Sequence, residues 1–332
     1  MSAASANSLI GFLDRHDDKA WAEVVATLSP TIHEVDRDAT RIWLSFWPLV
    51  IARAFAATKE PDRLARRLAL QGRYLLKDQV DTSHAFMYGH RYWPHAKQAV
   101  LDAATAGDTG VPLAERVLEV AGRAAQKAGV DRSLVVGITV AAFVTLQHVG
   151  IDTFKATPGE VHLDAPARRR SADDVIAARR KKRSAGLFGF LRTVDRRWRV
   201  SYDETSSECT FDAINGQDLA SAGATDTRDH ASRDPRCVEG PIPVECRTAA
   251  CGTCWVGVLG GAERLSDVDD REWRKMKEFG YFDSDETRPP VRLACRSMTH
   301  GDVTIVVPPW NGVFGKLIEG KIAIDEEPAK VE

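Results

Sequence analysis

No cysteine precedes Cys209, and the whole 332-residue chain has only six. The chain is large, and its first seven residues are small and polar rather than basic and then apolar. That combination counts against export and against a disulfide framework. A charge excess is missing too. Lys and Arg number 45 against 47 Asp and Glu, a net charge of −2, so no global field selects nucleic acid or membrane as a partner. The most apolar run, residues 134–146, is short for a bilayer and carries Gly137 and two threonines. The other candidate, residues 42–57, is interrupted by Pro48 and Arg53. Both read as buried helices, and the protein reads as cytoplasmic. There is no G-x-G-x-x-G and no P-loop, which removes the commonest nucleotide sites. C-x-x-C-H is absent, so any haem would be non-covalent. The Glu-x-x-His pattern of di-iron bundles is absent as well, as are a second C-x2-C and any internal repeat.

Residues 1–160 are helical by period and punctuation. Ser29 and Pro30 offer a cap and a first-turn proline to a segment carrying Ile32, Val35, Ile42 and Phe46, which Pro48 ends or kinks. Pro61 opens a helix with Leu64, Leu68 and Leu75, and another restarts at Pro94. Leu113, Val117, Val120, Ala121 and Ala124 repeat at helical spacing up to Gly129, a natural terminator. Asp131 then caps an apolar helix that reaches His148 and ends near Gly150. The expectation is an all-α bundle of about five to seven helices.

Five histidines of this region, His33, His84, His90, His95 and His148, are candidate ligands for a b-type haem. Axial ligation needs two imidazoles on facing helices. The aromatic stretch 86–93 (Phe86, Tyr88, Tyr92 and Trp93 among it) would exclude water, and Arg91 could meet a propionate. The competing reading is ordinary core or surface histidine.

Residues 161–196 form a basic linker, with Arg168 to Arg170, then Arg179 to Arg183 (two of these are Lys), and Arg196 at its end. It is either solvated or a docking element for an acidic partner or an anionic membrane surface. Nucleic acid is disfavoured because no binding fold accompanies the charge. From Trp198 the period changes to two. Residues 198–202 and 208–214 read as a hairpin, 217–224 as a short helix, and 255–259 and 302–307 as strands. Between the last two, Ser266 is expected to cap a helix with Asp267, Asp269 and Asp270 in its first turn. With Asp283, Asp285 and Glu286 they give an acidic face suited to a basic redox partner. Residues 197–315 form this second domain, and 316–332 a tail.

Cys246, Cys251 and Cys254 follow C-x4-C-x2-C, and Cys295 stands alone downstream. Three thiols in nine residues cannot share one helix or strand face; they suit a tight loop. Its fillers, Ala249, Ala250, Gly252 and Thr253, are small enough for backbone N–H groups to close on an anionic centre. The spacing is that of plant-type [2Fe–2S] ligands. A structural zinc site would use two C-x2-C pairs, and only one half is present. On these residues, and on the Leu293-Ala294-Cys295 run, the stretch 198–309 resembles the plant-type ferredoxins. Adrenodoxin-like ferredoxins have one more residue between their first two ligands and fit less well.

The resemblance implies a β-grasp fold for the C-terminal domain, so that the chain is multidomain, all-α followed by α+β. It implies a [2Fe–2S] cluster on Cys246, Cys251, Cys254 and Cys295, with Cys209 and Cys237 as bystanders. It also implies one-electron transfer at a potential of about −400 mV. The chain is thus read as a non-catalytic carrier or as a subunit of an oxidoreductase complex that works with a partner oxidoreductase, with the helical domain either a docking module or, through a haem, a second carrier. An iron–sulfur sensor and a helical catalytic domain fed by its own ferredoxin are the alternatives. The segment 225–237 and the stretch before Cys295 are longer than the family needs.

Overall fold

The structure is a computed structural model that describes residues 9–106, 110–181, 196–280, 287–318 and 320. Along the chain, the first helices are α1 (Asp18–Leu28), α2 (Glu34–Phe46), α3 (Leu49–Ala57) and α4 (Pro61–Arg67). A two-residue strand β1 (Gln71–Gly72) comes next, then α5 (Trp93–Ala106), α6 (Leu113–Ala128), α7 (Ser133–Ala156), α8 (Ala165–Arg169) and α9 (Ala172–Arg180). The remainder is β2 (Arg197–Ser201), β3 (Thr210–Ile214), α10 (Leu219–Gly223), β4 (Trp255–Gly260), α11 (Asp270–Phe279), β5 (Val291–Leu293), β6 (Val303–Val306), β7 (Trp310–Asn311) and α12 (Gly315–Ile318). These elements sort into two compact units. One unit comprises Met1–Leu49, Leu75–Ala178 and Asp203–Glu208; the other comprises Val50–Tyr74, Arg179–Tyr202 and Cys209–Glu332. Residues 50–74, from the stretch expected to be helical bundle, therefore belong to the unit that carries the cysteines. Residues 182–195 of the basic linker, and Asp283, Asp285 and Glu286 of the acidic face, lie outside the described residues.

The first unit is an all-helical bundle. α1 begins where the Asp17 carboxylate accepts the Ala20 N–H at 2.9 Å, and it buries Trp21, Val25 and Leu28 at helical spacing. Ser29 and Pro30 form a short 3-10 turn instead of capping the next helix. The cap is His33, whose Nδ1 accepts the Val35 N–H at 3.3 Å. α2 stops at Phe46, ahead of Pro48, as the proline demands. α5, α6 and α7 pack on one another, and α7 also packs on α2. α6 ends at Gly129, at φ 68, in the left-handed conformation that glycine adopts without strain. Residues 135–146 of α7 are buried all round, which suits the middle of a bundle. The span is broken at Gly150, whose φ of 75 and ψ of 166 are not helical. The apolar helix ends there as expected, and a further helical stretch carries the span to Ala156. By length and composition the span could cross a membrane, and 67% of that window is buried in the fold.

The second unit is built on a five-stranded mixed sheet of order β3-β2-β6-β4-β5. β2 and β3 form the expected hairpin, with Trp198 opposite Ala213. β6 runs parallel to β2 and antiparallel to β4, and β5 closes the far edge antiparallel to β4. This is the mixed sheet of a β-grasp domain. Val200, Ala213, Trp255, Val256, Val291, Leu293 and Ile305 form its core, each fully buried. The Asp218 carboxylate caps α10 through the Ser221 N–H at 2.8 Å. α11 starts at Asp270, not at Ser266, because the Asp269 side chain accepts the Glu272 N–H at 2.7 Å.

Candidate metal centre

Each cysteine is placed by its element. The register of β4 and β5 sets Trp255 opposite Leu293, and the Ala294 N–H donates to the Cys254 carbonyl at 2.9 Å. Cys254 and Cys295, 41 positions apart in sequence, thereby become neighbours at one end of the strand pair, and their thiols hydrogen-bond each other. Upstream, the loop turns on three left-handed residues, Arg247 at φ 52, Ala249 at φ 61 and Gly252 at φ 71. Two of them are not glycine, which costs about 1–2 kcal/mol each. The conformation turns successive N–H groups inward, as anion-binding concavities do. The Thr248 and Ala250 N–H groups point at Cys246 Sγ, 3.4 and 3.2 Å away. The Ala249 N–H serves Cys295, and the Cys246 and Cys251 thiols bond to each other.

The four sulfurs thus fall into two pairs, Cys246 with Cys251 and Cys254 with Cys295. The second pair is buried, and the first is half-exposed. Within each pair one thiol acidifies. Burial pushes Cys246 up, but the Thr248 N–H, the Cys251 thiol and the Ala250 N–H outweigh it and bring it down to about 6. Cys295 is lowered by the Cys254 thiol against the opposing effect of burial. Cys251 is raised by burial. Cys254 is raised by its bond to Cys295 and by burial. Among the described residues no group of three or more His, Cys, Asp or Glu is set to hold a single metal ion. Two dithiol pairs lined with N–H donors instead suit a dinuclear, sulfur-bridged centre that takes two thiolates per iron.

The other two cysteines are engaged elsewhere. Cys209 is buried against the Tyr202 hydroxyl. Cys237 donates to the Pro241 carbonyl at 3.5 Å, and burial pushes its thiol up to about 11. Around the ligand-bearing strand lies an ion-pair framework that sequence reasoning missed. Glu272 and Arg292 are both fully buried and bonded to each other through two contacts of 2.9 and 2.8 Å. Asp269 binds Arg296, the residue after Cys295, and Asp267 binds Arg288 at 3.0 Å. A carboxylate at one helical position and an arginine twenty residues on carry no signal in sequence.

The candidate haem histidines do not gather into one site. His84 and His90 are fully buried and meet Nδ1 to Nδ1 at 3.0 Å. The backbone N–H of His162 donates to His90 Nε2, so the His90 proton sits on Nδ1 and is donated to His84. A flat macrocycle has no place between rings in direct contact. His33 caps α2, and His148 Nε2 bonds the Trp47 carbonyl at 3.0 Å. His95 is half-buried on α5. Arg91 stacks on the Tyr88 ring at 3.5 Å and donates to the Arg170 carbonyl. Next to the histidine pair, Asp81 accepts from Trp93 Nε1 at 2.8 Å, from Lys97 and from the Gly159 N–H. Desolvation opposes ionisation there, but these donors outweigh it and hold the carboxyl below its usual range. This buried polar network, too, was invisible in the sequence.

Residues 212–299 match the family described as the 2Fe-2S iron-sulfur cluster binding domain. The match spans all four cysteines of the two pairs, with β4, β5 and most of β3, and it leaves the helical unit unassigned. No curated protein and no solved structure matches the chain. The C-terminal half carries a 2Fe-2S ferredoxin domain, and electron transfer is the function such a domain implies.

Proposed function

We propose that Cys246, Cys251, Cys254 and Cys295 hold one [2Fe–2S] cluster, and that the chain is a one-electron carrier or redox subunit exchanging electrons with a partner oxidoreductase. The observation that carries this reading is the pairing of the thiols. Each pair offers one iron its two thiolates, and one thiol of each pair is already acidified. When bound, the cluster supplies reversible one-electron storage at a potential set by burial and by N–H bonds to sulfur. The chain's own contribution is to fix the ligands. Thr248, Ala249 and Ala250 aim N–H groups at sulfur, which favours the thiolate form and stabilises negative charge there. The buried Cys254–Cys295 side keeps water out. The half-exposed Cys246–Cys251 side is where an electron would enter and leave, because it leaves a partner the shorter path.

A b-type haem in the helical unit gains no support from the geometry, since the two histidine rings that meet are bonded to each other. The visible spectrum of the purified full chain, with and without dithionite, tests both readings. Broad absorption that bleaches on reduction, with no Soret band, is expected. A colourless protein would overturn the cluster assignment, and a Soret band would restore the haem.

A further inference from the structure

Residues 68–73 stand far from the cysteines in sequence but belong to the same compact unit. α4 ends with Ala69 in the left-handed region, at φ 48. The Ala69 N–H bonds the Arg66 carbonyl at 3.1 Å, and the Leu70 N–H reaches back to Ala65 at 2.9 Å. This is the six-to-one helix ending that normally uses glycine, here made with alanine. It throws the chain out of the helix and into β1, where Gln71 pairs with Asn311 and Gly72 with Trp310. The Arg73 N–H donates to the Pro309 carbonyl, and the Val313 N–H donates to the Leu68 carbonyl, each at 2.8 Å, so both ends of the ribbon are pinned.

The contact is too close for side chains. A Cβ on Gly72, at φ 76, would lie 2.5 Å from the Pro309 carbonyl oxygen. One on Gly312 would lie 2.6 Å from Leu70 Cδ2. Arg236 fastens the segment further by donating to the Asn311 side chain at 3.0 Å and to the Pro308 carbonyl at 2.9 Å.

The segment so pinned is also the one that touches the cysteine loop. Val313 Cγ1 stands 2.7 Å from where a Cβ on Gly252 would be, between Cys251 and Cys254. The indole of Trp255, the residue after Cys254, donates to the Gly312 carbonyl at 3.3 Å. Gln71 reaches Glu245, the residue before Cys246, at 3.4 Å. Nothing in the 212–299 match accounts for this clasp, because both of its strands lie outside it.

We propose that residues 68–73 are a strap that holds residues 308–313 closed over the cysteine loop and shields the cluster from solvent. The inference rests on the reading of the four cysteines as cluster ligands. Opening the ribbon exposes Gly252 and its neighbours, so the strap governs how fast the centre yields its iron.

The test is the rate of iron release from the full-length protein to excess EDTA under argon, followed by visible absorbance. It is run beside hydrogen exchange at the Val313 amide, which reports the ribbon whatever the cluster does. Gly72→Val, which puts a β-branched residue at positive φ against backbone, should accelerate both about tenfold. Leu70→Ala, which removes the packing on Gly312 without backbone strain, should accelerate both by less. Lys59→Ala, on the exposed turn before α4, should change neither. If Gly72→Val does not fold by circular dichroism, Leu70→Ala decides alone. A folded variant whose Val313 amide exchanges faster while iron leaves at the wild-type rate overturns the strap, as do unchanged rates in both readouts. A wild-type protein without iron overturns the cluster reading itself, before any variant is made, and the strap's shielding role with it.

Discussion

Glu272→Ala should be among the most damaging single changes in the sheet-bearing unit. Glu272 Oε1 accepts both Arg292 Nε and the Leu293 N–H at 2.9 Å, and Oε2 accepts Arg292 Nη2 at 2.8 Å. Arg292 Nη1 is satisfied separately by the Ser266 carbonyl. Both side chains are essentially inaccessible, at 1% and 0% exposure. Removing the carboxylate leaves a buried guanidinium without its counter-charge and a buried N–H without an acceptor. Breaking a buried pair in this one-sided way costs about 3–5 kcal/mol. At roughly 2–4 °C per kcal/mol for a unit of this size, the transition should fall by about 10 °C. Differential scanning calorimetry of the full chain reads the shift. Because the pair holds β5 just ahead of Cys295, the same variant should lose iron on purification. The double change Glu272→Met with Arg292→Met removes both charges and should recover most of the lost stability. A loss under about 1 kcal/mol in Glu272→Ala, or a double variant no better than the single, would refute the reasoning.

Other consequences concern pH and close packing. Burial, with the charges of His162 and Arg91 beside it, holds His90 down at about 4 despite the opposing pull of Asp81. Burial, His90 and Lys97 lower His84 in the same direction. An unfolded histidine titrates near 6.5, so between pH 6.5 and 4 the unfolded chain binds protons that the folded chain refuses. Stability should be flat above 6.5 on this account and fall below it, by up to about 3 kcal/mol for His90 alone. Urea midpoints at pH 7.5, 6.5, 5.5 and 4.5 would show it, and a His90→Phe variant should lose part of the slope; a flat profile would be contrary. Gly240 sits at φ 89 with its absent Cβ 2.2 Å from the Gly223 carbonyl oxygen. Gly240→Ala should therefore destabilise by about 2 kcal/mol, whereas Val238→Ser two positions earlier, at 79% exposure, should stay within about 0.5 kcal/mol by denaturant titration.

What the sequence revealed, and what it withheld, divides along a physical line. Local rules were readable: the hairpin from its period of two, α6 from its apolar repeat and Gly129, and the cysteine loop from its spacing. Small errors arose where two polar residues competed for one cap. Ser29 and Ser266 looked suitable, but His33 and Asp269 stood one turn closer to the first orphan N–H groups. Long-range pairings left no trace. Glu272 with Arg292, Asp81 with Lys97 and His84 with His90 all depend on how the elements pack, not on spacing. The membership of residues 50–74 in the cysteine-bearing unit was hidden for the same reason: a two-residue strand has no period to read. The histidines illustrate the opposite hazard, in which a suggestive list of ligands dissolves once His33, His84, His90 and His148 are each seen to have a partner of their own.

The central claim is that four cysteines, and only those four, bind one [2Fe–2S] cluster. Iron and sulfide counting with EPR of the dithionite-reduced full chain, in wild type and with serine at each cysteine in turn, tests it most directly. The account predicts two irons, two sulfides and a one-electron signal in wild type. Both should persist in Cys209→Ser and Cys237→Ser, and the normal signal should be lost in Cys246→Ser, Cys251→Ser, Cys254→Ser and Cys295→Ser. A wild-type signal from Cys295→Ser, or its loss in Cys237→Ser, would contradict it.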